Sequence, residues 1–388
     1  MKIDKELLFD LLSQPTAPYR EGHVVRFVVD YLSRHGVKYF TDSVGNIVVG
    51  VESKAEYLKL LQQKTKEPVR LFMAHMDHPG FHGVRWGKKN ELHVKWYGGS
   101  PTQKIKGTEV WLASISGIVG EGTVKTVKMN RRGTAIESLL IKVTSSVPGS
   151  ERDPLGLFGG FQFRKPVWEK KTTLYTKAAD DLIGVCAIVQ LAVELKTHHA
   201  GNGAFVGLLT RAEEVGFIGA IGHFAAGFLE KREREVIVVS LETSRQLPGA
   251  LIGKGPVVRV GDRTTGFEPG AVSVLHSVAQ KVLPKKFQKR SMDGGSCEAT
   301  AATVFGLTAI GISVPLGNYH NQSFEGGPDS RGALGPAPEF VDKRDIEGML
   351  NLCRGIMQPG LPWEDPWKSK REGFIKSLHE AHPLLKLV

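Results

Sequence analysis

The chain has 388 residues, of which 41% are hydrophobic and 23% are charged, and its formal net charge is +11. This composition is typical of a globular protein long enough for more than one hydrophobic core, and we expect two domains. No uninterrupted apolar run reaches the length of a membrane span, which excludes a helical membrane protein.

The opening residues, MKIDKELLFDLLSQ, do not follow the pattern of a secretory signal, and the three cysteines show no CxxC spacing. The cysteine spacing fits a reducing compartment. Any metal must then be held by imidazole and carboxylate groups. Positive charge is densest at residues 125–132 and 281–290, and neither patch is laid out like a nucleic-acid recognition element. We expect a solvated basic surface and no nucleic-acid or membrane partner.

The first part of the chain predicts helices followed by strands. Residues 4–36 carry helical periodicity, and VKYFTDSVGNIVVG predicts two strands around a turn. After a polar, lysine-rich segment, the run VRLFMA predicts a buried strand that ends at His75. Asp77 lies two residues further on and shares a face with His75 on an extended chain. Its carboxylate is therefore placed to accept a hydrogen bond from the far nitrogen of the histidine ring.

Residues 81–172 differ in character from the rest of the chain. Short β-like runs such as HVKWYGG and SLLIKVTSS alternate with glycine-containing and charged turns, with no convincing helix. This pattern is typical of a small barrel or sandwich inserted into a larger domain. We therefore expect a discontinuous main domain, an inserted β-rich domain and a C-terminal extension, which comprise residues 1–80 with 173–357, 81–172 and 358–388.

A largely apolar helix begins just after two adjacent aspartates, Asp180 and Asp181. Aspartate is a favoured N-cap, so one of the pair explains the helix start, and we assign that role to Asp181. The cap leaves the other carboxylate unexplained. Because one carboxylate can join two metal ions about 3.5–4 Å apart, we expect Asp180 to form such a bridge.

Further acids and a histidine follow other apolar strands. AFVGLLT leads to Glu213 and Glu214, VIVVSL stops at Glu242, and LTAIGISVPL leads to His320. A single Glu-Glu pair after a strand is usually a solvated turn, but here four strand ends carry such groups. Because strand ends in an open sheet converge on one rim, we expect these side chains to meet His75 and the bridging aspartate there.

These side chains form a donor set of two histidines and at least three carboxylates, without sulfur. Such a set suits zinc, with cobalt and manganese as alternatives, and we expect two divalent ions per chain. Adjacent carboxylates repel each other, so a cation in front of them lets both Glu213 and Glu214 stay ionised. We assign Glu213 as the general base, which takes a proton from a metal-bridging water that attacks a carbonyl.

Six features occur along the chain in a fixed order: HMD at 75–77, AADDLIG at 178–184, AEEVG at 212–216, Glu242 after a strand, GGSCEA at 294–299 and NYHNQSFEG at 318–326. Singly each is weak, but their order and spacing resemble the co-catalytic zinc aminopeptidases of the M42 type. Their clan also contains the M18, M20 and M28 peptidases. The resemblance extends to about residue 357. It implies an α/β fold in three layers, with a mixed central sheet and an inserted β-barrel-like domain.

The resemblance also implies roles for the site residues. It assigns one ion to His75 and Glu242, the other to Glu214 and His320, and the bridge to Asp180. The base and the orienting carboxylate are the same residues as above. Substrate contacts are expected from three residues of the last two motifs, namely Gly294, Gly295 and Tyr319.

Members of this family are generally cytoplasmic peptidases that remove N-terminal residues from short peptides. Many of them assemble from dimers into hollow particles of twelve subunits. The resemblance therefore implies a cytoplasmic location, short peptide substrates and a homo-oligomer, either a dimer or a larger particle.

Several positions depart from the M42 pattern. Glu242 stands where aspartate is more common, His78 where an acid is usual, and Leu182 where arginine is usual. Cys297 and Glu298 replace the Thr-Asp often found beside the paired glycines.

Two alternatives to an aminopeptidase stay open. One is another amide hydrolase of the clan, a carboxypeptidase or an N-acyl amino-acid deacylase, for which Arg263 and Arg331 are conceivable carboxylate anchors. The other is a non-catalytic homologue used for binding. Retention of all five expected ligands and of Glu213 argues against the second alternative.

Overall fold

The computed structural model describes residues 2–198 and 204–385. The strands of this part of the chain are β1 (Tyr39–Thr41), β2 (Ile47–Val49), β3 (Val69–His75), β4 (Gly80–Trp86), β5 (Glu91–Tyr97), β6 (Glu109–Ser114), β7 (Gly117–Met129), β8 (Ile136–Val143), β9 (Phe158–Phe161), β10 (Val167–Lys170), β11 (Thr173–Thr176), β12 (Phe205–Thr210), β13 (Val236–Arg245), β14 (Val257–Asp262), β15 (Gln288–Met292), β16 (Thr308–Leu316) and β17 (Glu339–Asp342). Its α-helices are α1 (Lys5–Ser13), α2 (Gly22–Arg34), α3 (Lys54–Leu61), α4 (Leu182–Thr197), α5 (Ile218–Ala225), α6 (Pro269–Val282), α7 (Glu298–Val304), α8 (Lys343–Ile356) and α9 (Lys368–Leu385).

A mixed sheet of eight strands forms the centre of the molecule, in the order β1-β2-β12-β3-β13-β16-β14-β15. The four neighbouring strands β12, β3, β13 and β16 run parallel to one another. Every residue of β3 and β12 is buried, as expected for apolar strands covered on both faces. The parallel arrangement places the carboxyl ends of four strands on one rim of the sheet.

Helices pack on this sheet through apolar surfaces. α4 contacts β3, α1 and α8, and it is buried continuously from Leu182 to Ala192. A helix segment without an exposed polar face is stable only where neighbours surround it, which explains the largely apolar sequence of this part of α4. α7 contacts β13, β16 and α5. The predicted α/β fold class with a mixed central sheet is confirmed.

The strands β4 to β9 close into a six-stranded barrel, in the order β4-β5-β8-β7-β6-β9. The barrel has a hydrophobic core of its own, which includes Phe81, Leu92 and Ile141. This confirms the predicted inserted barrel. β10 and β11 lie outside the barrel and form a three-stranded sheet with β17. The division into domains at residues 81 and 172 stays a prediction.

The polar, lysine-rich segment before β3 contains the helix α3. Ser53 caps this helix, since its side chain accepts a hydrogen bond from Glu56 N. The side chain of Glu56 in turn accepts one from Glu52 N at 2.7 Å. Two short-range hydrogen bonds therefore fix the start of a helix whose outer face is polar.

The C-terminal extension contains α9, whose apolar side chains Phe374, Ile375 and Leu378 are exposed. Across the described ranges, every helix is too short or too polar to cross a membrane. The free cysteines Cys186, Cys297 and Cys353 are all buried.

Candidate metal centre

The rim of the parallel strands brings together the five residues expected to bind metal. His75, Asp180 and Glu242 each offer one ligand atom within 4.8 Å of the others, and so do Asp180, Glu214 and His320. Asp180 belongs to both groups. Its Oδ1 lies 3.5 Å from His75 Nε2 and its Oδ2 lies 3.8 Å from His320 Nε2. One oxygen of Asp180 therefore faces each half of the centre.

The sheet topology explains why residues so distant in sequence converge. His75 is the last residue of β3, and Glu213 and Glu214 follow β12 directly after Arg211 and Ala212. His320 follows β16 in the same way, after a short turn. β12 and β3 are parallel neighbours, and β13 lies between β3 and β16 and is parallel to both. The carboxyl ends of β12, β3 and β16 therefore meet.

The expectation that the strand before Glu242 stops at that residue is wrong. β13 continues to Arg245, and Glu242 lies inside it, paired with Ser313 of β16. The backbone pairing continues past the acid because β16 also extends to Leu316. Ser240 Oγ donates a hydrogen bond to the Glu242 carboxylate at 3.1 Å. Glu242 therefore reaches the centre as a side chain from within β13, and not from the end of a strand.

The adjacent residues Asp180 and Asp181 have different positions and contacts. Asp181 is the N-cap of α4, and its carboxylate accepts hydrogen bonds from Gly184 N and from Thr243 Oγ1 at 3.0 Å. Asp180 is left free of such a capping role and points into the centre. This agrees with the assignment of the helix start to Asp181.

The contacts of Asp77 differ from the predicted hydrogen bond between its carboxylate and the His75 ring. Its Oδ1 lies 3.6 Å from His75 Nδ1, which is beyond hydrogen-bonding distance, and the ring instead contacts the backbone carbonyl of Asp77 at 3.2 Å. The Asp77 carboxylate accepts hydrogen bonds from the backbone amides of Glu213 at 2.9 Å and Glu214 at 3.1 Å. Asp77 therefore holds the segment that carries the two glutamates.

Glu339 of β17 is a supporting residue that the sequence motifs did not reveal. Its Oε2 accepts hydrogen bonds from the amides of Ala179 and Asp180, and its Oε1 accepts one from the amide of His320 at 2.9 Å. One buried carboxylate thus fixes both Asp180 and His320 relative to each other. Glu339 lies in β17, 19 residues beyond His320, and its local sequence carries no signal of this role.

The barrel also contributes to the centre, through the turn after β5. A Cβ placed on Gly99 would lie 1.8 Å from Nδ1 of His320, so no larger residue fits there without a shift. Its carbonyl accepts a hydrogen bond from Trp96 Nε1 at 2.9 Å, which ties the turn to the barrel wall. The inserted barrel therefore limits the position of the His320 ring.

Orphaned atoms show that the cluster fits cations. Asp180 Oδ1 and Glu214 Oε1 are buried and have no hydrogen-bond partner among the described residues, and His320 Nε2 lies 3.1 Å from Glu214 Oε2. Buried polar atoms normally have partners, and atoms left without one at a converging acid and imidazole cluster point to a missing ligand. The nitrogen and oxygen donors, without sulfur, suit zinc or a similar divalent ion.

Charge repulsion at the cluster is visible in its proton affinities. Burial and the neighbouring Asp180 raise the pKa of Glu242 to about 7. Burial, together with Glu214 and Glu242, also raises the pKa of Glu213 well above its usual value. Burial acts to lower the pKa of His75, but the surrounding carboxylates, Glu213 first, raise it well above its usual value. Without cations the cluster therefore retains protons, which divalent ions would displace.

A narrow cleft opens beside Asp180 and Glu242, and the three residues expected to contact substrate, Gly294, Gly295 and Tyr319, line it. The ring of Tyr319 stacks on His320, with a centroid distance of 3.7 Å. Arg263 and Arg331 do not line this cleft. The Arg331 side chain instead donates to the backbone carbonyls of Lys104 and Lys106 at the barrel.

Sequence comparison places this centre in a known family. A profile of the M42 glutamyl aminopeptidase family matches residues 58–324, which is more than half of the chain. The chain belongs to the M42 peptidase family. The match spans His75, Asp180, Glu214, Glu242 and His320, the five residues expected to bind metal. No curated protein sequence matches the chain at a significant level.

Solved structures share this fold at low sequence identity. The TET1 peptidase of Pyrococcus horikoshii is 20% identical, with a TM-score of 0.71 over 92% of this chain and 99% of that one. An aminopeptidase from the archaeon Desulfurococcus kamchatkensis is 20% identical, with a TM-score of 0.70 over 94% and 96% of the two chains. An M18 aminopeptidase from Thermotoga maritima is 14% identical, with a TM-score of 0.63 over 92% and 97%. As an M42 family member, the chain is a metal-dependent aminopeptidase that hydrolyses peptide bonds.

Proposed function

We propose that this M42 aminopeptidase uses two divalent ions per chain, and that its substrates are short peptides with a free N-terminus. The observation that carries the proposal is the position of Asp180, whose two oxygens face His75 and His320 respectively. A carboxylate in this position is suited to bridge two ions. We assign one ion to His75 and Glu242, the other to Glu214 and His320, and expect zinc from the donor types.

The ions would polarise the scissile carbonyl and lower the pKa of the attacking water. The protein's own residues perform the proton transfers. Glu213 is mostly buried, and its Oε2 lies 3.8 Å from His75 Nε2, so its carboxylate borders the centre. We assign Glu213 as the general base, which takes the proton of the attacking water and passes it to the departing amine.

The base must be ionised to act, and the burial of Glu213 opposes this. The carboxylates of Glu214 and Glu242 further raise its pKa, whereas His75 lowers it. Divalent cations at the adjacent ligands would add positive charge and favour the ionised form. Asp77 keeps the base in place through the amide of Glu213.

The test of this function is a substrate screen of purified, metal-loaded protein. Peptides with a free amine, the same peptides with a blocked N-terminus, and peptides that report release of the C-terminal residue would be compared by mass spectrometry. We expect release of N-terminal residues from the first group alone. Cleavage of N-acylated peptides, or release from the C-terminus, would instead support a deacylase or carboxypeptidase of the same clan.

We further propose that the chain is a homo-oligomer located in the cytoplasm. Support comes from the fold likeness to the TET1 peptidase of Pyrococcus horikoshii, which is described as assembling into a tetrahedron or an octahedral shell. The three buried free cysteines are compatible with a reducing compartment. Sedimentation velocity of the metal-loaded protein measures the assembly, and a single monomeric species at micromolar concentration would refute it.

A further inference from the structure

The C-terminal helix α9 is exposed along its whole length. Trp363 is buried and belongs to the main hydrophobic core, so it anchors the chain shortly before the helix. Beyond this anchor, every side chain of α9 that the structure describes is exposed. Gly373 lies inside the helix and lowers its intrinsic stability. Because short helices are marginal in water without tertiary packing, α9 needs a surface that covers one of its faces.

One stripe of α9 is apolar, and its spacing is that of a coiled-coil seam. The residues of the stripe follow one another in alternating steps of four and three, which keeps them on one side of a helix. We call this stripe the seam, and its residues are Trp367, Arg371, Phe374, Leu378, Ala381 and Leu385. All of them except Arg371 are apolar. Phe374 is 65% exposed and Leu385 is 66% exposed. The seam is therefore an apolar surface that its own chain leaves uncovered.

The order of large and small side chains makes the seam complementary to itself. An antiparallel copy of the helix, related by a two-fold axis at Lys376, places each large side chain opposite a smaller one. The facing pairs, with the first residue from one copy and the second from the other, are Trp367 with Leu385, Arg371 with Ala381, and Phe374 with Leu378. A two-fold interface requires a self-complementary patch of this kind.

Charge favours the antiparallel orientation over the parallel one. In a parallel pair each seam residue faces its own counterpart, so Arg371 would meet Arg371 inside the interface and the two charges would repel each other. In the antiparallel pair Arg371 faces Ala381, and its guanidinium forms an ion pair with Asp365 of its own chain. The flanking residue Lys370 likewise faces Leu384 and not a second lysine. The antiparallel pair therefore avoids facing like charges at these positions.

We propose that α9 is an assembly arm, which pairs through the seam with the antiparallel α9 of a second copy of this chain. The exposed apolar side chains of the seam leave water on pairing, which provides the driving force. Ile375 lies beside the two-fold axis, where it faces Ile375 of the second copy. This inference rests on the proposed homo-oligomer and names one of its contacts, but it does not depend on the peptidase reaction.

A lipid surface is the main alternative occupant of the seam. A helix that lies on a membrane usually combines an apolar face with a polar face rich in lysine and arginine. The face of α9 opposite the seam carries Glu372, Lys376 and Glu380, so its charges are mixed. Lys376 and Glu380 form an ion pair at 3.9 Å. Arg371 also lies within the seam itself. A second copy therefore suits the seam better than an acidic membrane does.

Chemical cross-linking of the full-length chain tests the pairing. Ile375→Cys places a thiol beside the proposed axis, and Lys376→Cys, the matched control, places one on the opposite face of the same turn. The native cysteines Cys186, Cys297 and Cys353 are buried, so the wild type gives the background. With a short bis-maleimide at micromolar protein, we expect a covalent dimer in Ile375→Cys and only the background in Lys376→Cys. A dimer in neither variant, or equal yields in both, would overturn the proposal.

A second pair of variants tests whether the seam holds the two thiols together. Leu378→Glu, added to Ile375→Cys, puts a charge into the seam and should lower the yield of the covalent dimer by roughly tenfold or more. His379→Glu, added to Ile375→Cys, introduces the same residue outside the seam and should keep the yield. An undiminished yield with Leu378→Glu would show that the link does not depend on the seam and would overturn the pairing.

Sedimentation velocity of the wild type separates failure of this inference from failure of the proposed homo-oligomer. A particle larger than a monomer, together with no link in Ile375→Cys, would overturn the arm alone. A monomer at micromolar concentration would overturn both proposals. Vesicles of phosphatidylcholine and phosphatidylserine test the alternative occupant. Co-sedimentation of the wild type but not of Leu378→Glu with these vesicles, without a link in Ile375→Cys, would assign the seam to a lipid surface and overturn the pairing.

Discussion

The carboxylate of Asp77 accepts hydrogen bonds from the backbone amides of both Glu213 and Glu214, at 2.9 and 3.1 Å. These bonds join the end of β3 to the segment after β12, so the expected base and the expected ligand are set by the same side chain. Asp77 itself is fully buried. Its role is therefore to fix the position of two neighbouring glutamates.

We expect Asp77→Ala to lower metal affinity and kcat/KM by roughly 10–100-fold, because the amides of Glu213 and Glu214 lose their acceptor. Isothermal titration with Zn²⁺ and steady-state kinetics measure the two effects. Asp345→Ala is the matched control, since Asp345 is also buried and accepts from two amides, those of Gly253 and Gly255. The control should lose stability but keep metal affinity. Equal metal affinity in both variants would contradict the role given to Asp77.

Glu213→Gln keeps the size of the side chain but removes the base. We expect two ions to remain bound and kcat to fall by about 10²–10⁴-fold, the usual contribution of a general base. Metal analysis by mass spectrometry and the peptide assay together check this outcome. Near wild-type turnover with a full metal complement would show that another group takes the proton.

His320→Ala should reduce the bound metal towards one ion per chain, since this histidine faces one side of the Asp180 bridge. The matched control is His223→Ala, a fully buried histidine that pairs with Asp42 at 2.9 Å. That variant should be less stable yet hold two ions. Two tightly held ions in His320→Ala would mean that the ligand is assigned wrongly.

Gly99→Ala tests the contribution of the barrel. The added methyl would collide with the His320 ring, so either the turn or the ring must move. We expect weaker binding of the ion assigned to Glu214 and His320, and a lower kcat. A displacement of about 1 Å near the reacting groups lowers the rate on the order of 10²-fold. Gly156→Ala, where a Cβ meets nothing within 4 Å, is the control. Unchanged metal binding and activity in Gly99→Ala would refute the contact.

The raised pKa of Glu242, about 7 in the metal-free protein, gives metal binding a pH dependence. Below pH 7 the carboxyl is protonated and an ion must displace that proton, so apparent affinity should fall about tenfold per pH unit. Chelator competition at pH 6, 7 and 8 measures how the apparent metal affinity changes with pH. An affinity that stays constant over this range would contradict the prediction.

In the folded, metal-free protein Glu242 has a higher pKa than in the unfolded chain, so its protonation also affects stability. Its stabilising contribution is fully present below about pH 4.5 and is lost as pH rises through about 7, because the buried carboxyl must then ionise. We therefore expect the Tm of the metal-free protein to fall between pH 5 and 8. Loading with Zn²⁺ should reverse this trend.

Local patterns were sufficient to predict much of the centre. An apolar strand that ends in a histidine or an acid is visible in a few consecutive residues, as at His75 and Glu214, and a capped apolar helix is equally local at Asp181. Parallel strands then bring such ends to one rim by a general rule. The sequence by itself therefore determined the fold class, the inserted barrel and the set of residues that the structure brings together.

Only the tertiary structure decided which groups support this set. Glu339 and Gly99 lie in segments whose own sequence carries no such pattern, and each acts through contacts with residues far away in the chain. The position of Glu242 inside β13 depended likewise on the length of its partner β16. Contacts of this kind depend on how separate elements pack against one another, and a local run of residues contains no record of that packing.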